Sequence, residues 1–367
     1  MAGAAQAASP ACGVDAQCAI SLRVTDKQIS ALDVVRDAEW LPHRYDPQYD
    51  AVHFRHTPRD EHERATFLTD DYLAQEAPKL VLRRDEAAGA APAEAPIHYI
   101  FHSAFCCSTL LARVFERPGY AMGLKEPVLL NDLVGWRRRG GEPKRIAMAL
   151  DHGLRLLGRP FSPGEAIVIK PSNIVNILAT AMLGMRPNSR ALLLHAPLRT
   201  FLTSVAKKGM DGRLWVRRLL LGHIMDGLRP FGFTENDYLG QTDLQVAAVG
   251  WLTQHALFAD LIGRFGPERV RSLDSETLMA SPAEALRALS AFYGLTLEEG
   301  TIHEIVGQGA FTRHSKTGSD YSIEARVAEY RDATAAHADE IDKVAQWAEA
   351  IARSAGHSLR LDAPLLG

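Results

Sequence analysis

Cysteine is scarce in this chain, with four among 367 residues. Cys12 and Cys18 fall in the first twenty residues, and Cys106 and Cys107 are adjacent, where an intramolecular bridge would be badly strained. A disulfide-stapled scaffold is excluded, and a reduced, cytoplasmic protein is the expectation. No uninterrupted apolar run reaches the ~18 residues that suggest a transmembrane helix. The alanine-rich start "MAGAAQAASPACGVDAQCAI" lacks the cationic opening and apolar core of a secretory signal, and reads as a tail. An excess of one charge is missing as well. Lys+Arg 41 against Asp+Glu 44 leave a net charge of -3, which gives no reason to expect a nucleic-acid or membrane-surface partner. The basic run "WRRRGGEPKR", Trp136 to Arg145, reads as a solvated face. The triphosphate loop G-x-x-x-x-G-K-[ST] does not occur, which argues against a conventional ATPase, GTPase or kinase.

What is present is globular in character, with 47% hydrophobic and 23% charged residues. Residues 1–28 read as a disordered tail. The stretch 29–96 mixes charged and aromatic residues and carries His43, His53, His56 and His62. Their spacing fits no standard zinc pattern and no cysteine accompanies them, so no metal site is expected. It closes in "RRDEAAGAAPAEAP", Arg83 to Pro96, whose composition suggests a linker. From residue 97 to 367 short apolar runs alternate with helical patterns. "IHYIF", "EAIVIKPSN", "SRALLLHAP" and "RVRSLD" read as buried strands, each with a helical segment behind it. That alternation predicts an α/β fold, a mostly parallel sheet flanked by helices, with a helical insert from about Arg213 to Phe265. Ligands of such folds bind beyond the carboxyl ends of the strands. The segments to watch are therefore Ser103–Thr109, Lys170–Asn173 and His195–Ser204.

The stretch "YIFHSAFCCSTLLARVFE", Tyr99 to Glu116, reads as strand, tight loop and helix. Amides and hydroxyls at such a turn suit an anion. The two cysteines serve there as small residues that tolerate close backbone approach, rather than as nucleophiles. Taken in order, the segments resemble the sulfotransferases, a family with a P-loop-type α/β sheet. "AFCCSTL", Ala104 to Leu110, is similar to that family's donor loop P-[KR]-S-G-[ST]-T-[LW], departing at Phe105 and Cys107. "IVIKPSN" resembles its lysine-bearing strand, with Lys170 at the matching lysine. "HAPLRTFLTS" resembles its R-D-P-R-and-serine segment. "VRSLDSETLMASPAEALRALSAFYGL" is similar to a later strand and helix, and "FTRHSKTGSDYS" stands where the family has a basic closing loop.

The resemblance implies 3′-phosphoadenosine 5′-phosphosulfate as co-substrate and a small-molecule or glycan acceptor. It implies Cys106, Cys107, Ser108 and Thr109 on the phosphosulfate side, and His195, Arg199 and Ser204 near the 3′-phosphate. Arg313 and Lys316 belong to the closing loop. Sulfuryl transfer needs positioning, cations on the spreading charge and removal of the acceptor's proton. Lys170, a charge closing an apolar strand at the ligand edge, is the expected cation, with Lys125 as runner-up. Glu126 is the leading base by the same resemblance and His102 the alternative. Two other readings stay open: a degenerate member that binds a nucleotide, phosphorylated ligand or protein without transfer, and an unusual P-loop kinase.

Overall fold

A computed structural model of the chain describes residues 22–24, 27–228, 231–307 and 323–366. The 29–96 region contains a three-stranded antiparallel sheet: β1 (Trp40–Asp46), β2 (Ala51–His56) and β3 (Lys79–Arg83), in that order. In β3, Leu80 and Leu82 are buried while Lys79, Val81 and Arg83 are exposed, the alternation of a strand with one face on a core. The stretch read as a linker begins with a helix, Arg84–Ala90. Alanine's helix preference and burial of Ala87 and Ala88 account for it, as does Arg84, which donates to both carboxylate oxygens of Asp50 at 2.7 and 2.9 Å.

The second sheet comprises β4 (Ile97–His102), β5 (Ala121–Lys125), β6 (Ala166–Lys170), β7 (Ala191–His195) and β8 (Val270–Asp274). It is parallel throughout and ordered β8–β7–β4–β6–β5. The four expected strands therefore share one sheet. The fifth, "AMGLK", was not expected, because a glycine and a lysine interrupt its apolar pattern. Every residue of β4 to β6 is buried, as strands covered on both faces require.

Alternate side chains of β4 enter separate cores. Ile97, Tyr99 and Phe101 join residues of the antiparallel sheet and of helices α2 (Val128–Arg138) and α3 (Pro143–Leu157). Ile100 joins α1 (Ser108–Val114), α4 (Leu198–Lys207), α6 (Asp243–Phe265), α7 (Pro282–Tyr293) and the C-terminal part of α8 (Ile323–Ser354). The insert is helical as expected, with α5 (Gly209–Met225) preceding α6. By length and composition α6 could cross a membrane, but 72% of its apolar window is buried inside the fold. It opens with a capping box between Thr242 and Gln245.

Beside the Arg44–Asp132 pair, a buried arginine ties the segment that leads into β1 to this core. Arg159 is fully buried and donates to the carbonyls of Leu156, Val34, Val35, Asp37 and Trp40 at 2.6 to 3.2 Å. Its guanidinium also lies 5.6 Å over the Phe54 ring.

Candidate functional site

The chain leaves β4 toward β5 on one side and leaves β7 toward β8 on the other, so the sheet's switch point lies between the carboxyl ends of β4 and β7. The two loops there are tied together. Ser103 N–H donates to Leu194 O at 3.1 Å, and Ser103 Oγ accepts from Ala196 N–H at 3.1 Å. Between Ser103 and the start of α1, three non-glycine residues hold left-handed backbone: Ala104 (φ 72°), Phe105 (φ 54°) and Cys107 (φ 65°). Each such residue costs about 1–2 kcal/mol, and strain of this kind gathers at functional loops. Left-handed Cys107 followed by right-handed Ser108 is the pairing that turns successive amides toward one side, as in an anion-binding nest.

His102 sets the loop's start. Its Nδ1 accepts from Ala104 N–H at 3.1 Å, and its Nε2–H donates to Pro171 O at 3.0 Å. Backbone N–H can only donate and C=O only accept, so the ring is held as the neutral Nε2–H tautomer. His102 orients the loop in this arrangement. Cys106 is buried, and desolvation pushes its thiol up to about 11. Ser108 and Thr109, also buried, begin α1.

Lys170 closes β6 beside this loop, 1% exposed. It is ion-paired with Glu126, whose side chain keeps 18% exposure. Glu126 takes φ 54° immediately before Pro127, a position that proline ordinarily forces to extended backbone. Its N–H donates to Lys170 O at 2.7 Å, and its Oε1 lies 3.9 Å from His102 Nε2. The three candidate catalytic residues, Lys170, Glu126 and His102, thus come together at one sheet edge. A fourth neighbour was not foreseen from sequence: the Phe67 ring, from the antiparallel module, stands 5.0 Å from Lys170 Nζ.

Lys125 lies in register with Lys170 but belongs to a separate buried pair. Its Nζ meets Glu116 at 2.6 and 2.8 Å and Glu63 O at 3.0 Å. Burial pushes the Glu116 carboxyl up to about 8 and lowers Lys125. A carboxyl whose folded pKa exceeds its unfolded 4.5 favours the fold fully below that value. The contribution is lost as pH rises toward about 8. The depressed lysine acts in the alkaline range below its ordinary 10.5. Glu116→Gln should therefore flatten the decline in stability between about pH 5 and about pH 8, read from urea midpoints at each pH. A decline equal to the wild type's would contradict this assignment.

The proposed 3′-phosphate side is less convergent. Arg199 is half exposed and ion-paired with Asp342 of α8. Ser204 Oγ donates to Thr200 O at 2.8 Å within its own helix. Burial lowers the His195 pKa, keeping its ring neutral, and it packs edge-on to His255 at 4.8 Å. Phe105, at the loop position where the resemblance has a cation, packs against Phe201 and Trp215, with Lys208 Nζ 5.8 Å from its ring. Arg313 and Lys316 lie outside the described residues. Among the described residues no group of three or more His, Cys, Asp or Glu is placed to hold a metal ion.

No family model and no curated protein matches the chain. Solved structures do. The sulfotransferase domain from the curacin biosynthetic pathway is 14% identical, covering 73% of this chain and 100% of its own, at a TM-score of 0.40. Sulfotransferase STF9 from Mycobacterium avium is 13% identical, covering 70% and 79%, at 0.41. The sulfotransferase domain of the Synechococcus PCC 7002 olefin synthase is 14% identical, covering 65% and 89%, at 0.37. All three TM-scores lie below 0.5, and the chemistry rests on this chain's own residues.

Proposed function

We propose that the chain is a sulfotransferase-like enzyme moving a sulfuryl group from 3′-phosphoadenosine 5′-phosphosulfate to a hydroxyl or amine of an acceptor. The observation that carries this reading is the buried Lys170–Glu126 pair beside a strained loop at the sheet's switch point. An isolated buried ion pair is a poor source of stability, so a cation and carboxylate held together at the ligand edge suit a catalytic role. In transfer, the bond from sulfur to the donor's bridging oxygen breaks as the acceptor oxygen or nitrogen bonds to sulfur. Lys170 balances charge on the departing oxygen, and Glu126 takes the acceptor's proton. The loop amides with Ser108 and Thr109 hold the phosphosulfate, and His102 keeps the loop in shape. A cytoplasmic setting belongs to the same proposal.

The second reading, binding without transfer, is favoured by the partnering of Arg199 with Asp342 and by the neutral His195. Thermal shift tests nucleotide recognition. At a hundredfold its dissociation constant, 3′-phosphoadenosine 5′-phosphate should stabilise the fold by about 2.7 kcal/mol, well beyond ATP at the same concentration. Equal shifts from the two nucleotides, or from sulfate alone, would contradict the donor assignment.

A further inference from the structure

The long helix of the insert touches both loops of the switch point. α6 is apolar over most of its buried length, and its buried polar exceptions, Thr253, Gln254 and His255, are consecutive. Trp251 and Gln254, three residues apart, share one side of the helix. Trp251 Nε1–H donates to Ala196 O at 2.8 Å, on the loop after β7. His255 stacks on the Trp251 ring at 3.6 Å and meets His195 edge-on. Gln254 reaches the other loop through one intermediary. Asn176 lies in a short 3₁₀ helix, Asn173–Leu178, soon after Lys170. Its Nδ2 donates to Gln254 Oε1 at 3.1 Å and to His102 O at 2.9 Å. The pairing of β4 with β6 ends at Tyr99, whereas its pairing with β7 runs on to His102. Asn176 thus gives His102 O a donor where the β4–β6 ladder has stopped. A carbonyl can only accept, which fixes the Asn176 amide with its nitrogen toward His102, and that nitrogen selects the oxygen end of Gln254.

We propose that Asn176, Gln254 and Trp251 are positioning residues that clamp both loops of the candidate site to α6. The clamp rests on the sulfuryl-transfer reading for its purpose and not for its geometry. His102 is the link on one side. Its carbonyl is held by Asn176 while its ring spans Ala104 N–H and Pro171 O, so the place of this strand end sets where the left-handed loop begins. Ala196 is the link on the other. Its N–H donates to Ser103 Oγ and its carbonyl accepts from Trp251. A loop whose amides receive an anion binds it more tightly when those amides are ordered beforehand. Energetics point the same way. Asn176 Oδ1 and Gln254 Nε2 are buried and have no partner among the described residues. An apolar pair of the same shape would fill the core without that penalty, so what the polar pair adds is orientation rather than stability.

Amide hydrogen exchange on the full chain, without ligand, tests the clamp. Asn176→Leu should speed exchange of Ala104 N–H, which bonds the His102 ring, by about tenfold or more. Tyr99 N–H, which bonds Arg190 O deeper in β4, should keep its rate. The double variant Asn176→Leu with Gln254→Leu guards against a general loss of stability, since it strands neither amide. It should show the wild-type rate at Tyr99 and the fast rate at Ala104. Trp251→Phe keeps an aromatic ring on His255 but loses the indole donor, and should quicken Ala196 N–H in the same way. Affinity for 3′-phosphoadenosine 5′-phosphate should fall about tenfold in the double variant, the scale of lost preorganisation at one loop. Wild-type exchange at Ala104, or equal quickening of Ala104 and Tyr99 in the double variant, overturns the clamp whatever the nucleotide does. Undiminished nucleotide affinity beside a quickened loop overturns its positioning role. A wild type that binds no nucleotide, with Ala104 alone quickened in the variants, supports the clamp and overturns the donor reading instead.

Discussion

Replacing Lys170 with methionine should lower kcat by about two to three orders of magnitude and change affinity for 3′-phosphoadenosine 5′-phosphate far less. A cation aimed at a departing oxygen matters most when charge develops there, whereas loop amides, Ser108 and Thr109 would still hold the ground state. The loop carries no cation of its own, since Phe105 is packed into an aromatic cluster. Lys125 cannot take over, being committed to Glu116. The substitution also strands Glu126, and breaking a buried pair costs about 3–5 kcal/mol at most, less here because Glu126 is partly exposed. The double variant Lys170→Met with Glu126→Gln separates the two effects. It should regain much of the lost stability and none of the lost turnover. Wild-type turnover in Lys170→Met would remove this lysine from the mechanism.

The largest expected effect on stability belongs to Arg159. Arg159→Leu should destabilise the fold by about 3–5 kcal/mol, the scale of breaking a buried charged network. Five carbonyls from two parts of the chain converge on this guanidinium, and leucine leaves them without that donor. No carboxylate is among these partners. The charge is held by carbonyl dipoles, and desolvation lowers the side chain's pKa to about 10. A urea titration gives the stability change directly, and a loss under about 1 kcal/mol, roughly the effect of an ordinary surface change, would contradict the staple.

Four of the five parallel strands and the edge that His102 and Lys170 share were legible in the sequence, whereas Glu126 came from the resemblance alone, since the strand before it was missed. Strands buried on both faces appear as continuous apolar runs, and a charge at the end of such a run marks the ligand edge. "AMGLK" escaped because Gly123 and Lys125 break the pattern. Gly123 is nonetheless required by space, since a Cβ there would lie 2.8 Å from Ala112 O. The antiparallel sheet escaped because β1 and β2 bury consecutive residues, His43 and Arg55 among them, which hides a period of two. Phe67 over Lys170 and Asp342 on Arg199 join segments 103 and 143 positions apart in sequence, and local pattern carries no trace of such pairs. Arg159 looked like any charged residue after a helix, and only the carbonyls around it show what it does.

The central claim is sulfuryl transfer at the Lys170 edge. Its most direct measurement follows label from sulfur-labelled 3′-phosphoadenosine 5′-phosphosulfate into a mixture of pyranosides, phenols and amines, with the wild type and Lys170→Met compared at saturating donor. The predicted result is labelled product with the wild type and about a hundredfold to a thousandfold less with the variant. Nucleotide binding by the wild type with no label leaving the donor, over the whole mixture, would contradict it.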